Sequence, residues 1–165
     1  MTALQIADIK TFMKQFLLSE TFDHFLLLEG NVTTFAAFHI DGTLHPSYFH
    51  AQEQELLGNR SLTFWGEVRP FCLELIKGRR TPLSFRFTLQ LSHSNTEKFL
   101  AQTHSPIPSD QVRALLMNLR YDGHTLLCTT GTSLSVFTMD KELDHAWDDM
   151  VRRFFHRQEI PFQAV

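Results

Sequence analysis

Cysteine is scarce in this sequence, and long apolar runs are absent. Cys72 and Cys128 lie far apart and match neither a CxxC motif nor a disulfide framework, so a fold held by disulfides is not expected. The longest apolar runs, such as residues 25–28, are much shorter than the roughly 20 residues of a membrane-spanning helix. The first residues also lack the basic and apolar regions of a signal peptide. We therefore expect a cytoplasmic protein that has no membrane partner.

An excess of positive charge is absent as well. The 15 Lys and Arg residues are outnumbered by 18 Asp and Glu residues, which gives a formal net charge of -3 with histidine counted neutral. No overall field would therefore attract nucleic acid or acidic lipid, and such binding would need a local basic patch. We expect a protein partner or a homo-oligomer, with DNA disfavoured.

Phenylalanine, in contrast, is abundant. The chain of 165 residues contains 16 Phe, and because this side chain is large and wholly apolar, most of them must lie in a core or an interface. The length is typical of one domain. We therefore predict a single domain over residues 1–165.

Hydrophobic periodicity predicts an α+β fold with a mostly antiparallel sheet and packed helices. Strands are predicted at residues 3–6, 25–29, 32–40, 84–91, 115–121 and 124–130, and helices after Asp8, at 46–57, at 67–77, after a cap at Ser94, and at 141–157 after a cap at Asp140. The helix at 67–77 places Phe71 and Cys72 on its apolar stripe, with Pro70 in its first turn.

Three glycine-containing dipeptides predict tight hairpin turns: Gly30 with Asn31, Asp41 with Gly42, and Asp122 with Gly123. The last turn would pair Leu119 with Leu126 and Met117 with Cys128, which buries Cys128. A loop around Gly131 would then carry the chain to Leu134.

The terminal helix, 141–157, has the clearest amphipathic pattern in the chain. Its apolar stripe consists of Leu143, Ala146, Trp147, Met150, Val151, Phe154 and Phe155. On the opposite face, Asp148 and Asp149 each precede an arginine by four residues, which predicts a solvated surface with ion pairs.

A short internal repeat links two parts of the chain. Residues 4–6 lead to Phe12-Met13-Lys14-Gln15, and residues 89–91 lead to Phe99-Leu100-Ala101-Gln102. The predicted half-repeats cover residues 3–45 and 84–138 as two βαβββ units, with a helical insertion at 46–80 between them.

The stretch from Leu115 to Gly123, followed by Thr130-Gly131-Thr132-Ser133-Leu134, resembles a strand–turn–strand segment of DNA sliding clamps. Those clamps are built from paired βαβββ units, so the resemblance implies a clamp-like core. Because clamp helices line the DNA channel, it also implies Lys10, Lys14 and Lys98 as the matching DNA contacts.

The whole chain also resembles an uncharacterised bacterial family of about this length. The resemblance is carried by Arg69-Pro70-Phe71-Cys72 and by residues 128–134. That family brings no known activity, so no catalytic residue is carried over from it.

Two groups of potential metal ligands are each better explained as surface residues. His39, Asp41, His45 and His50 crowd one stretch, but a hairpin at Asp41 would put His39 and His45 on opposite faces. His145 and Asp149 lie on the solvated side of the terminal helix. We predict no metal and no cofactor.

Catalytic and phosphate-binding candidates are few. Both cysteines fall on apolar stripes, where a thiol is inert. Lys77, Arg79 and Arg80 surround Gly78 and form a candidate phosphate contact, although cations are also favoured at a helix C-terminus for structural reasons.

The sequence therefore favours a non-enzymatic binding module with a clamp-like core. The alternative is a small cytoplasmic enzyme with an unrecognised pocket. A pocket lined by titratable groups with perturbed pKa values would favour the enzyme, whereas a broad polar sheet face or an exposed Phe patch would favour the module.

Overall fold

A computed structural model describes all residues, 1–165, and confirms the α+β class. Seven strands form one antiparallel sheet in the order β3-β2-β4-β5-β6-β1-β7. The strands are β1 (Ala3–Ile6), β2 (Leu26–Thr33), β3 (Ala37–Asp41), β4 (Ser84–Gln90), β5 (Val112–Tyr121), β6 (Leu126–Leu134) and β7 (Phe162–Ala164).

Five α-helices accompany the sheet: α1 (Ile9–Leu18), α2 (Ala51–Leu57), α3 (Trp65–Ile76), α4 (His93–Gln102) and α5 (Glu142–Arg157). Two short 3-10 helices cover Pro46–Tyr48 and Ser109–Gln111. None of the helices combines the length and hydropathy that crossing a bilayer requires.

The core lies between the helices and one face of the sheet. Phe85, Phe87 and Leu89 of β4 are buried in it, as the predicted alternation requires. On the other face Arg86 and its cross-strand partner Arg120 are exposed, so this side of the sheet remains open to solvent. Thr88, predicted to be solvated on this face, is buried and donates a hydrogen bond of 2.6 Å to Asn118, and Leu116 and Leu127 are half-buried beside these polar residues.

Two of the predicted hairpin turns are wrong, because their glycines are needed for packing. Gly30 lies inside β2, where a Cβ atom would come within 2.6 Å of the Phe87 ring, and the β2–β3 turn falls at residues 34–36. At Gly42 a Cβ atom would lie 1.8 Å from the Leu27 carbonyl oxygen, so no larger residue fits there. The chain after β3 therefore forms a bridge from Thr43 to Leu62 rather than a hairpin.

The β5–β6 register differs from the predicted one by two residues. Leu119 pairs with Cys128 and Met117 pairs with Thr130, because Asp122 Oδ1 accepts hydrogen bonds from the backbone N–H groups of both His124 (2.9 Å) and Thr125 (2.7 Å) and lengthens the turn. A shift of two keeps every side chain on its face, so Cys128 is buried as predicted. The predicted loop around Gly131 is wrong: β6 continues without a break to Leu134.

Both helices of the insertion at 46–80 begin at other residues than predicted: α2 begins later and α3 begins earlier. Only a 3-10 turn follows Pro46, and α2 begins at Ala51. Helix α3 begins at Trp65, whose indole stacks on Phe16 with 4.1 Å between ring centroids. Because of this earlier start, Pro70 lies in the helix interior. Phe71 is 71% exposed and not part of the buried stripe, because the side of α3 that faces the core runs through Trp65 and Cys72.

Two helix starts also differ in detail from the predictions. Ser92, not Ser94, caps α4, and its hydroxyl accepts a hydrogen bond from the Asn95 N–H group. Asp140 lies one residue before the cap of α5, although its carboxylate still accepts a hydrogen bond from the Glu142 N–H group at 2.9 Å.

The buried stripe of α5 is confirmed, but one of its predicted solvated residues is not solvated. Asp148 is buried and accepts a hydrogen bond from the Thr130 hydroxyl. Arg152 pairs with Asp149 at 3.2 Å instead of with Asp148. The reason is the proximity of β6, which contacts α5 along the flank where Asp148 lies.

The predicted half-repeats share an element order but not a pairing pattern. β1–α1–β2–β3 and β4–α4–β5–β6 follow the same order, with two strands rather than three after each helix. β4 pairs with β5, whereas β1 pairs with β6 and β7 and not with β2. The clamp-like core therefore stays a prediction.

Candidate functional site: a basic groove between α4 and α5

The basic residues that the sequence singled out are all exposed, but they are dispersed. Lys10 and Lys14 lie on α1 and Lys98 lies on α4. Lys77, Arg79 and Arg80 follow α3, and Lys77 forms an ion pair with Glu74 at 2.7 Å. Lys98 is the one that lines a large surface cavity.

That cavity is the first part of a groove between α4 and α5. Two cavities, of about 320 and 490 Å³, adjoin one another there. They share four lining residues, Phe99, Gln102, Met150 and Arg157. We refer to the combined feature as the α4–α5 groove.

The floor of the groove is apolar and firmly held. Phe99 packs edge-on against Trp147 with 5.8 Å between ring centroids, and the Trp147 indole donates a hydrogen bond of 2.9 Å to the Leu116 carbonyl. At the other end Phe154 packs edge-on against Phe25 with a centroid separation of 5.5 Å. Because these rings are anchored in the core, the floor keeps its shape without a ligand.

The rim of the groove is basic. Lys98 comes from α4, whereas Arg153, His156 and Arg157 come from the last turns of α5. None of the side chains of Lys98, Arg153 and Arg157 takes part in an ion pair within 4.0 Å or in a hydrogen bond, and no Asp or Glu lines the groove. The rim therefore carries charge that the protein itself does not neutralise.

Sequence reasoning missed Arg153 and Arg157. It placed Arg153 in an ion pair with Asp149, but Asp149 pairs with Arg152 instead. The available signal was the four-residue spacing of Arg153 and Arg157, which puts both on one side of α5. Cations near a helix C-terminus are favoured for structural reasons as well, so the spacing alone was ambiguous.

The groups with shifted pKa values lie outside the groove. Burial raises the pKa of the Cys72 thiol to about 12 and also raises that of Cys128. Hydrogen bonds from the backbone N–H groups of Thr125 and His124 lower the pKa of Asp122 to about 2. Each shift follows from local packing or turn geometry, and each raised thiol pKa opposes nucleophilic use of the cysteine.

The histidine-rich stretch makes hydrogen bonds rather than a ligand set. The Nδ1 atom of His39 lies 2.9 Å from Asn31 Oδ1, and Asp41 Oδ1 accepts a hydrogen bond from the Thr43 N–H group, which lowers the pKa of Asp41. The structure brings no three His, Cys, Asp or Glu side chains together at metal-binding separation.

Comparison with known protein families identifies the family of this chain. A profile of a family of unknown function, DUF5721, matches residues 15–163. The chain belongs to this family. The predicted membership of an uncharacterised family is thus confirmed, and the family match covers α4, α5 and the groove between them. No curated protein and no solved structure matches this family member, so its likeness to sliding clamps stays a prediction.

Proposed function

We propose that the chain is a non-enzymatic interaction module that binds an acidic, amphipathic segment of a protein partner in the α4–α5 groove. The observation that carries this proposal is the set of unpaired cations around an apolar floor. Peptide-binding grooves of this kind take the apolar face of a helix and leave its polar side at the rim.

The floor and the rim would recognise different parts of such a segment. Apolar side chains of the partner would pack on Phe99, Met150 and Phe154, and burial of about 100 Å² of apolar surface contributes roughly 2.5 kcal/mol before the entropy costs of association are subtracted. Carboxylates of the partner would face Arg153 and Arg157, whose planar guanidinium groups bind carboxylates in a bidentate manner. Charge complementarity would therefore set the specificity of binding.

Two further features support a protein partner and a binding role. The open, mostly polar face of the sheet is typical of an interaction module rather than a closed pocket. DNA is disfavoured because Lys10 and Lys14, the other predicted DNA contacts, do not line the groove.

We also propose that residues 1–165 form one domain and that the protein is cytoplasmic. One cluster of 27 buried residues links both half-repeats with α3 and α5. Both cysteines are free and buried, which fits a reducing compartment.

The proposal is tested with a fluorescein-labelled model peptide that has leucines at helical spacing and glutamates elsewhere. Anisotropy should show saturable binding in the micromolar range at low salt, weakened by added salt. The double variant Arg153→Glu, Arg157→Glu should raise the Kd at least about tenfold. The matched control Arg79→Glu, Arg80→Glu introduces the same change of net charge outside the groove and should bind like the wild type.

Three other outcomes would count against the proposal. Equal weakening by both double variants would show a non-specific charge effect. Binding of a scrambled peptide with the same affinity would remove the role of the apolar floor. Tighter, groove-dependent binding of a labelled DNA duplex would favour nucleic acid as the partner, and a Lys10, Lys14 and Lys98 charge reversal would then locate the contact.

A further inference from the structure

A second large cavity lies on the other side of α4, at the ends of three central strands. It has a volume of about 530 Å³, within the usual range for small-molecule sites. Leu26, Gln90 and Val112, at the ends of β2, β4 and β5, line it together with Asn59, Arg60, Ser61 and Phe64 of the insertion. Phe64 lies beside Leu26, to which it is joined by a β-bridge.

The lining of this cavity combines apolar and polar groups. Phe64, Leu26, Leu91 and Val112 supply apolar surface, whereas Asn59, Ser61, Gln90, Ser92, His93, Ser94 and Thr96 supply polar groups. Arg60 and Arg113 complete the lining, and no Asp or Glu is part of it. Phe64 thus provides an aromatic wall, and Arg113 is the lining arginine without an ionic partner, because the charge of Arg60 is paired with Glu67.

Arg60 is held in place by its neighbours. Its guanidinium carbon lies 4.3 Å from the centre of the Phe64 ring. Its Nη1 atom donates to Glu67 at 2.5 Å and to the Leu62 carbonyl at 3.3 Å. Only one of its nitrogens is used in these bonds, so a fixed guanidinium with further donors, its charge balanced by Glu67, remains at the wall of the cavity.

A β-bulge brings in the second arginine. The pairing of β5 with β6 shifts between Val112 and Ala114, and Arg113 is the extra residue. Its side chain forms no ion pair and no hydrogen bond, although it lines the cavity. Bulges of this type commonly redirect a side chain next to a binding site.

We propose that this cavity binds a small organic anion, with a phosphate or carboxylate group between Arg60 and Arg113 and an apolar or aromatic body against Phe64. Arg113 supplies unpaired charge, and both arginines supply forked hydrogen-bond donors for the anionic group. The apolar strand ends supply a surface for the remainder of the molecule. This proposal is independent of peptide binding in the α4–α5 groove.

Phenyl phosphate is the probe for this site, since it carries both parts of the expected ligand. Titration followed by 1H–15N NMR should show saturable shifts at Arg113 and at residues 59–64. Arg113→Gln should raise the Kd at least about tenfold. Arg120→Gln is the matched control: it removes an unpaired exposed arginine from the same strand but on the open sheet face, and it should leave the Kd unchanged.

Three comparisons decide the ligand class. If benzoate also binds, and Arg113→Gln weakens its binding to the same extent, the anion site is supported and accepts carboxylates as well as phosphates. Benzyl alcohol should bind at least about tenfold more weakly than phenyl phosphate. Equal effects of Arg113→Gln and Arg120→Gln, or no saturable binding of phenyl phosphate or benzoate up to about 10 mM, would overturn the proposal. Arg153→Glu, Arg157→Glu should leave phenyl phosphate binding intact, which separates this result from that of the groove.

Discussion

At the scale of single residues, Asp148 shows how a neighbouring strand can override a helical pattern. Its carboxylate is buried, accepts the Thr130 hydroxyl and lies 3.3 Å from the Met1 amino group. We expect Asp148→Ala to lower the free energy of unfolding by roughly 1 to 3 kcal/mol, because the Thr130 hydroxyl would lose its acceptor. Urea unfolding measures the loss, and the exposed Asp149→Ala should change it by less than about 0.5 kcal/mol. Equal effects would contradict this account.

Cys72 provides a pH-dependent prediction at the same scale. Burial raises its thiol pKa to about 12 in the folded protein, against about 8.5 in an unfolded chain. The resulting stabilisation is complete below about pH 8.5 and is lost as the pH rises through the folded value, since the unfolded chain ionises first. The stability difference between the wild type and Cys72→Ala should therefore fall by roughly 1 to 2 kcal/mol between pH 7 and pH 10. A constant difference would show that the thiol is accessible to solvent.

Gly30 and Gly131 both lie inside strands, but only at Gly30 does a neighbouring side chain leave no room for a Cβ atom. A Cβ at Gly30 would lie 2.6 Å from the buried Phe87 ring, whereas at Gly131 the nearest atom would be 3.9 Å away. We expect Gly30→Ala to destabilise the fold by about 1 to 3 kcal/mol through overpacking. Gly131→Ala should be neutral or slightly stabilising. Chemical unfolding of both variants tests this contrast, and similar losses would refute it.

At the scale of elements, α5 closes the core and also supplies most of the groove rim. Trp147 is fully buried and donates its indole N–H to the Leu116 carbonyl. We expect Trp147→Ala to cost about 3 to 5 kcal/mol, as other large core truncations do. Thermal unfolding provides the measurement, with Arg153→Ala on the exposed side of the helix as the control. An unchanged Tm for Trp147→Ala would mean that α5 is a detachable arm.

At the scale of the whole molecule, one core should give one unfolding transition. Trp65 of the insertion and Trp147 of the terminal helix belong to the same buried cluster. We therefore expect far-UV circular dichroism and tryptophan fluorescence to report the same urea midpoint. Two separated midpoints would indicate that the insertion or a half-repeat unfolds independently, contrary to a single domain.

Periodic patterns in the sequence predicted most of the elements, but not the short terminal strand β7. The core face of β4 and the apolar stripe of α5 appear in the structure as predicted, because local periodicity reports which face of an element meets a core. The class of the fold and the burial of both cysteines also follow from these patterns. The predicted faces of β5 and β6 are correct although the predicted turn is not, because a register shift of two residues leaves each side chain on the same face.

The tertiary structure alone decided which residues meet. In the sequence Gly30 indicates a turn, but in the structure it lies inside β2, where the ring of Phe87 leaves no room for a Cβ atom. Phe87 is distant from Gly30 in the sequence. Asp148 is buried because β6 passes beside it, and Arg153 and Arg157 line a groove only because α4 packs next to α5. A bulge places Arg113 in its cavity, and the insertion places Arg60 there. Pairing between segments depends on the whole packing arrangement, so a local pattern could predict most of the elements but not the sites that they form together.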